Sequence, residues 1–145
     1  MPLIVVGGSV FQPSAMTKNG THVLGTSEVW AEVPGWTADT SGFPGSVVVG
    51  NGLRCNGSAS AATINAALPF SAGTSGSHQA RLMLNGTTVL ATGGMVTATS
   101  GTMTVAATVS LNDGDVITVQ AWHNIGFQAF RATIGAGSGT YVRIN

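Results

Sequence analysis

Thr102-Met103-Thr104-Val105-Ala106-Ala107-Thr108-Val109-Ser110-Leu111, followed by Asn112-Asp113-Gly114-Asp115 and then by Val116 to His123, is the stretch on which the fold turns. Met103, Val105, Ala107, Val109 and Leu111 fall on one side of a period-two pattern, and Thr102, Thr104, Ala106, Thr108 and Ser110 on the other. Successive side chains of a strand point to opposite faces, so this pattern buries one face and wets the other. A helix would need apolar residues at i, i+3, i+4 and i+7, and no such stripe is present. Asn112 to Asp115 is turn chemistry, because Asn and Asp side chains bond their own backbone and Gly accepts positive φ. The segment therefore reads strand, turn, strand.

The same reading extends upstream. Ala62, Ile64, Ala66, Leu68 and Phe70 alternate with Thr63, Asn65 and Ala67, which predicts a half-buried strand. Ser71 to Ser77 reads as a Gly/Ser/Thr loop. Ala80, Leu82 and Leu84 alternate with Gln79, Arg81 and Met83, and Asn85-Gly86 then predicts a tight hairpin into Thr87 to Leu90. Gly93-Gly94 breaks the chain before Met95 to Thr99. Downstream, strands are expected near Phe127 to Ile134 and at Thr140 to Ile144, with a Gly-rich loop between them. The first half is less regular. Short strands are expected at Leu3 to Val6, Thr21 to Leu24, Glu28 to Val33, Ser46 to Val49 and Leu53 to Cys55, with Pro34 to Gly45 as a surface loop. About ten short strands with turn signals between them predict an all-β, two-sheet antiparallel β-sandwich or jelly roll. The length of 145 residues suits one domain that needs no disulfide, and Cys55 is the single cysteine.

Charge narrows the function classes. Charged residues make up 7% of the chain, against about 25% in an average soluble domain. Five basic and five acidic residues give zero net charge, and mean hydropathy is +0.34. Near-neutral surfaces tend to associate, so a surface covered by partners is the expectation. Lys18, Arg54, Arg81, Arg131 and Arg143 are scattered, whereas a phosphate backbone calls for a clustered basic face; no nucleic-acid partner is expected. No apolar run approaches the roughly 20 residues that span a bilayer, so no membrane insertion is expected. Met1 to Val6 lacks a basic leader, so no secretory signal is expected.

Catalytic chemistry finds little support. His22, His78 and His123 are the available bases, and none lies in a nucleophile-elbow context. Cys55 has Arg54 as its one basic neighbour in sequence and reads as a small buried side chain. Asp113 and Asp115 supply two carboxylates where calcium takes about six to eight oxygens, so they read as turn residues. Glu28 and Glu32 flank Trp30 and are the one carboxylate pair that a glycosidase could use, without further support. The Asn-Gly-Ser/Thr triplets at Asn19, Asn56 and Asn85 read as turns. No catalytic residue, metal site or cofactor is predicted.

The aromatics divide between two uses. Trp122, Phe127, Phe130 and Tyr141 fill a core or form a subunit interface, and the nearby Arg131 and Arg143 lean toward the interface. Trp36 and Phe43 either pack a loop onto the sandwich end or contact another protein or a cell-surface glycan.

Three segments together carry a resemblance: Trp36-Thr37-Ala38-Asp39-Thr40 with Gly45-Ser46 and Gly50-Asn51-Gly52-Leu53; Arg81-Leu82-Met83-Leu84-Asn85-Gly86; and Val109 to Val119 closed by Gly139-Thr140-Tyr141-Val142-Arg143-Ile144. Their order resembles the jelly-roll domains of minor tail proteins and related virion proteins of actinobacteriophages. Those domains are similar in turn to the fold shared by tumour necrosis factor and the complement globular heads. The resemblance implies a TNF-like jelly roll over residues 31–145, a homotrimer, no catalysis, and a place in the virion after assembly in the host cytoplasm. It implies other tail or major capsid proteins as partners, with capsid decoration as the alternative to a minor tail role. Residues 1–30 are then an N-terminal arm with the first strands, and Leu3, Ile4, Val5 and Val6 are the candidate attachment run, by addition to a neighbour's sheet edge.

Overall fold

The alternation at Thr102–Leu111 is expressed directly. Met103, Val105 and Leu111 are buried, Ala107 and Val109 half-buried, and the Thr/Ser/Ala set is exposed. A computed structural model describes residues 10–145 of the chain; the expected Leu3 to Val6 strand lies outside the described residues. Among the described residues the elements in chain order are β1 (Ser14–Lys18), β2 (His22–Val23), β3 (Ala31–Glu32), β4 (Trp36–Ala38), β5 (Val48–Val49), β6 (Gly52–Arg54), β7 (Ala59–Leu84), β8 (Thr88–Thr92), β9 (Val96–Leu111), β10 (Val116–His123), a 3₁₀ turn (Gln128–Phe130), β11 (Thr133–Ile134) and β12 (Gly137–Ile144).

β7 organises the rest. Its first part, Ala59 to Ser71, lies between β9 and β12. After a register shift between Ser71 and Gly76, its second part lies between β10 and β8. One long strand thus runs from one layer into the other. The first layer is ordered β4-β1-β12-β7-β9, and the second places β10 between β7 and the short strands β3 and β6. All pairs are antiparallel, as expected for a jelly roll. The inner faces meet in one cluster that includes Met16, Ile64, Leu68, Leu82, Met103, Ile117, Val142 and Ile144. Each such side chain contributes about 1.5–3 kcal/mol by leaving water.

The two turns form as their chemistry requires. Asn85 and Gly86 take φ of 50° and 75°, the positive signs that match strand twist, and the Thr87 N–H closes the turn on the Leu84 carbonyl at 3.1 Å before Leu84 pairs with Thr88. Asn85 Oδ1 also accepts from the Val116 N–H at 2.9 Å, tying this hairpin to the start of β10. In the second turn Gly114 has φ 88° and the Asp115 N–H donates to the Asn112 carbonyl.

Three expectations need correction. Ser71 to Ser77 is strand, not loop: its glycines serve close approach. A Cβ on Gly73 would stand 2.8 Å from the Phe130 ring, and one on Gly76 2.5 Å from Ile125. Only glycine lets these segments touch. Phe127 to Ile134 is mostly not strand. A 3₁₀ turn sets Phe127 and Phe130 edge to face, with ring centroids 6.2 Å apart, and pairing resumes only at Thr133. The Pro34 to Gly45 segment contains β4, which pairs with β1.

β1 was not legible as a strand, because Ser14-Ala15-Met16-Thr17-Lys18 carries no apolar alternation. It is held instead by neighbours on both sides, β12 and β4. Ser14–Lys18, within the expected arm and first strands of residues 1–30, is therefore part of the sandwich. Lys18 is buried, and its ammonium donates to the carbonyls of Asn19 and Gly35 at 3.2 and 3.1 Å. Burial lowers its pKa.

Candidate functional site

The outward face of the first layer is built by register. Tyr141 of β12 stands opposite Thr17 of β1 and Ala67 of β7, and Ala67 opposite Thr104 of β9. One row along, Arg143 stands between Ala15 and Asn65, and Asn65 opposite Ala106. Cross-strand partners share a face, so Tyr141 and Arg143 rise from a floor of Thr, Ala and Asn. The Arg143 guanidinium lies 3.8 Å from the Tyr141 ring centroid and 5.9 Å from that of Phe43. A shallow concavity of about 410 Å³ runs beside Tyr141, lined by Asn65, Gly93, Gly94, Thr104 and Ala106. In these two rows, Arg143 is the single formal charge.

The six candidate interface residues do not converge. Tyr141 and Arg143 share the face just described. Trp122 is half-buried on the other layer, opposite Gln79. Phe127 and Phe130, 75% and 45% exposed, form a knob at the 3₁₀ turn, and Arg131 follows with its Nε buried and unpaired among the described residues. Of the loop-contact pair, Trp36 is buried: the residue is 8% exposed and its Nε1–H donates to the Val33 carbonyl at 2.7 Å. Phe43 is half-buried and lines an apolar concavity of about 390 Å³ with Gln12, Pro13, Pro44 and Asn145. Leu3, Ile4, Val5 and Val6 lie outside the described residues.

The ionisable candidates are engaged structurally. The Cys55 thiol is buried and donates to the Gly57 carbonyl. Burial, and after it the carboxylates of Asp115 and Asp113, push its pKa up, away from thiolate chemistry. Asp113 accepts from the Gly57 N–H at 2.9 Å, and Asp115 from the Asn112 N–H at 2.8 Å and the Asn85 amide at 3.1 Å. The Asn112 bond closes the turn, and the other two tie it to the segment after Cys55 and to the Asn85-Gly86 hairpin. Among the described residues no three His, Cys, Asp or Glu side chains gather into a metal cluster. Glu28 sits in a turn at φ 61° and Glu32 in β3, both exposed.

The histidines reveal an arrangement that no sequence signal announced. His78 and His123 are cross-strand partners on the inner face, with ring centroids 6.4 Å apart, and Phe70 covers His78 at 4.1 Å. His123 is satisfied: its Nε2–H donates to the Gly25 carbonyl at 2.7 Å and its Nδ1 accepts from the Ile125 N–H at 3.1 Å. His78 is fully buried, and neither ring nitrogen has a hydrogen-bond partner among the described residues. Burial pushes its pKa down and His123 adds to this, while the Val96 and Gly76 backbone groups oppose it. His22 is lowered too, by burial and then by Lys18. A lowered histidine is neutral in the fold and protonates first in the unfolded chain. Stability is therefore complete above the ordinary histidine pKa of about 6.5 and declines as pH falls below it. We expect the melting temperature to drop between about pH 7.5 and about pH 5, and His78→Phe to reduce that drop; thermal melts of both proteins at the two pH values measure it.

No helix among the described residues is long and apolar enough to cross a membrane. No protein-family model matches the chain, and no curated protein matches it. Solved structures do. The Eiger TNF of S. frugiperda superposes with a TM-score of 0.58 at 11% identity, covering 92% of this chain and 90% of that one. Murine APRIL at pH 5.0 gives 0.62 at 14% identity, covering 93% and 98%. Murine APRIL at pH 8.5 gives 0.59 at 15% identity over the same shares. At such identities the likeness speaks for the fold alone, and the fold is an all-β, TNF-like jelly roll.

Proposed function

We propose that the protein is a non-enzymatic structural subunit that self-associates as a homotrimer through the face around Tyr141. The observation that carries this reading is that outward face: small Thr, Ala and Asn side chains, one aromatic anchor and one arginine stacked on it. Interfaces favour such aromatic and arginine anchors and are poor in other charges. Trimeric assembly is typical of the fold, and a chain with 7% charged residues has much to gain from covering such a face.

Within that reading the subunit serves in a phage particle as a small minor tail protein. The segments quoted above for that resemblance support this, and the exposed Phe127 and Phe130 knob supplies an element to dock on another virion protein. Capsid decoration uses the same chemistry at a different address. Light scattering on the purified chain should return three times its 14.5 kDa mass; a single-chain mass at high concentration overturns the self-association reading. Quantitative mass spectrometry of particles then separates the addresses: a few copies place it on the tail, hundreds on the capsid, and absence from particles removes the virion role.

A further inference from the structure

The outward face of the second layer carries side chains that the self-association reading leaves unused. Along β10, Gln120 and Trp122 are half-buried while Val119, Ala121 and His123 are buried. Gln120 stands opposite Glu32 of β3 on one side and Arg81 of β7 on the other. Trp122 stands opposite Gln79. Trp30 directly precedes Ala31, the partner of Ala121, and its ring lies against Arg81. Both tryptophans, Arg81, Gln79, Gln120 and Glu32 therefore share one outward surface.

The polar groups of this surface are held in place. The Arg81 guanidinium lies over the Trp30 ring, 4.4 Å from its centroid, and its Nε donates to the Gln120 Oε1 at 2.7 Å. Stacking and hydrogen bond together fix the guanidinium plane, and its terminal N–H groups make no hydrogen bond to a described residue. Gln79 is fixed through its Nε2, which donates to the Gly93 carbonyl at 2.8 Å. Its Oε1 has no partner among the described residues, and neither has the Gln120 amide nitrogen. Glu32 is exposed.

The Trp122 indole on a sheet surface, edged by fixed amide groups, a guanidinium held on Trp30 and one carboxylate, matches a sugar. Indole faces bury the C–H faces of a pyranose, and the polar edge exchanges hydrogen bonds with hydroxyls. One cation and one anion on the surface give no net attraction for a polyanion, which sets nucleic acid aside. The sheet surface also selects among sugars. A β-linked gluco-configured chain holds its substituents equatorially and presents flat C–H faces, whereas an α-linked chain curls away from a flat support. We propose that this face binds a β-linked gluco-configured saccharide, with Trp122 as the stacking ring, Trp30 as the support that holds the Arg81 guanidinium in place, and Arg81, Gln79 and Gln120 as the hydroxyl contacts. The site lies on the layer opposite Tyr141 and is complete in one chain, so it does not depend on the trimer; a trimer adds avidity.

The probes are cellohexaose and chitohexaose, with maltohexaose as the α-linked comparison, titrated into the purified chain by calorimetry and tryptophan fluorescence. At least one β-linked probe should bind saturably, at least about ten-fold more tightly than maltohexaose. Trp122→Ala and Arg81→Ala should each weaken binding by about ten-fold or more, Trp122→Phe should retain part of it, and Tyr141→Ala should leave it unchanged. No binding of either β-linked probe overturns the proposal, as does equal binding of maltohexaose. Full binding by a folded Trp122→Ala protein overturns it as well. None of these outcomes bears on the mass measurement, so the two readings fail separately.

Discussion

Thr104→Glu leaves the protein as single chains of 14.5 kDa. Thr104 is exposed on β9, opposite Ala67 and one strand further from Tyr141. In one chain the glutamate points into water and costs the fold little, because surface substitutions away from special features stay within about 0.5 kcal/mol. In the proposed trimer the same carboxylate is buried without a partner. Truncating or mismatching a buried interfacial charge costs about 2–5 kcal/mol, and the symmetric assembly meets that cost three times over. Sedimentation velocity reads the result, with an unchanged far-ultraviolet circular dichroism spectrum as the check on folding. Tyr141→Ala should act in the same direction more weakly, since it removes the anchor without adding a repulsive group. A Thr104→Glu protein that kept the parent mass would take this face out of the interface.

Gly93→Ala and Gly94→Ala should differ sharply although they alter adjacent, identical residues. A Cβ on Gly93 collides with the Thr104 carbonyl oxygen and stands 3.1 Å from the Val105 Cβ. A Cβ on Gly94 meets nothing within 4 Å. The Gly93 backbone cannot retreat easily: its N–H donates to the Ala80 carbonyl at 2.8 Å, and its carbonyl accepts from Gln79. Thr104 is equally fixed by its place opposite Ala67 in the β7–β9 ladder. Forcing a methyl group into such a contact costs about 3 kcal/mol, or a melting temperature lower by roughly 10 °C for a chain of this size. Gly94→Ala should shift stability by about 0.5 kcal/mol at most, with a slight gain from the stiffer unfolded chain. Equal melting temperatures for the two variants would show that the β9 backbone yields at Thr104.

The same glycines show how far sequence reading carries. Gly86 and Gly114 are legible because their role is local: each sits beside Asn or Asp between two alternating runs and takes positive φ. Gly73, Gly76 and Gly93 sit among Ser, Thr, Ala and Gly, which also reads as loop, and have a different role. Each accepts a neighbour that arrives from far along the chain: Phe130, Ile125 and Thr104. Read locally, Ser71 to Ser77 is a loop; in the fold it is the passage by which β7 crosses from one layer to the other. The aromatics behave likewise. Their number near the C-terminus is compatible with core filling or with one interface, and Trp122, the Phe127–Phe130 knob and Tyr141 occupy three separate places.

Local sequence alone specified the antiparallel β-class, the Asn85-Gly86 hairpin, the Asn112 to Asp115 turn and the division of β9 into a buried and an exposed set. Those properties depend on side-chain period and on turn residues, which act within a few positions. Only the tertiary structure decided that Trp30 lies under Arg81 and that Trp36 is buried. It alone set His78 against His123 beneath Phe70, and Arg143 over Tyr141. Those neighbours are assigned by strand order and register, and a period of two specifies which way a side chain faces but not which strand will stand beside it.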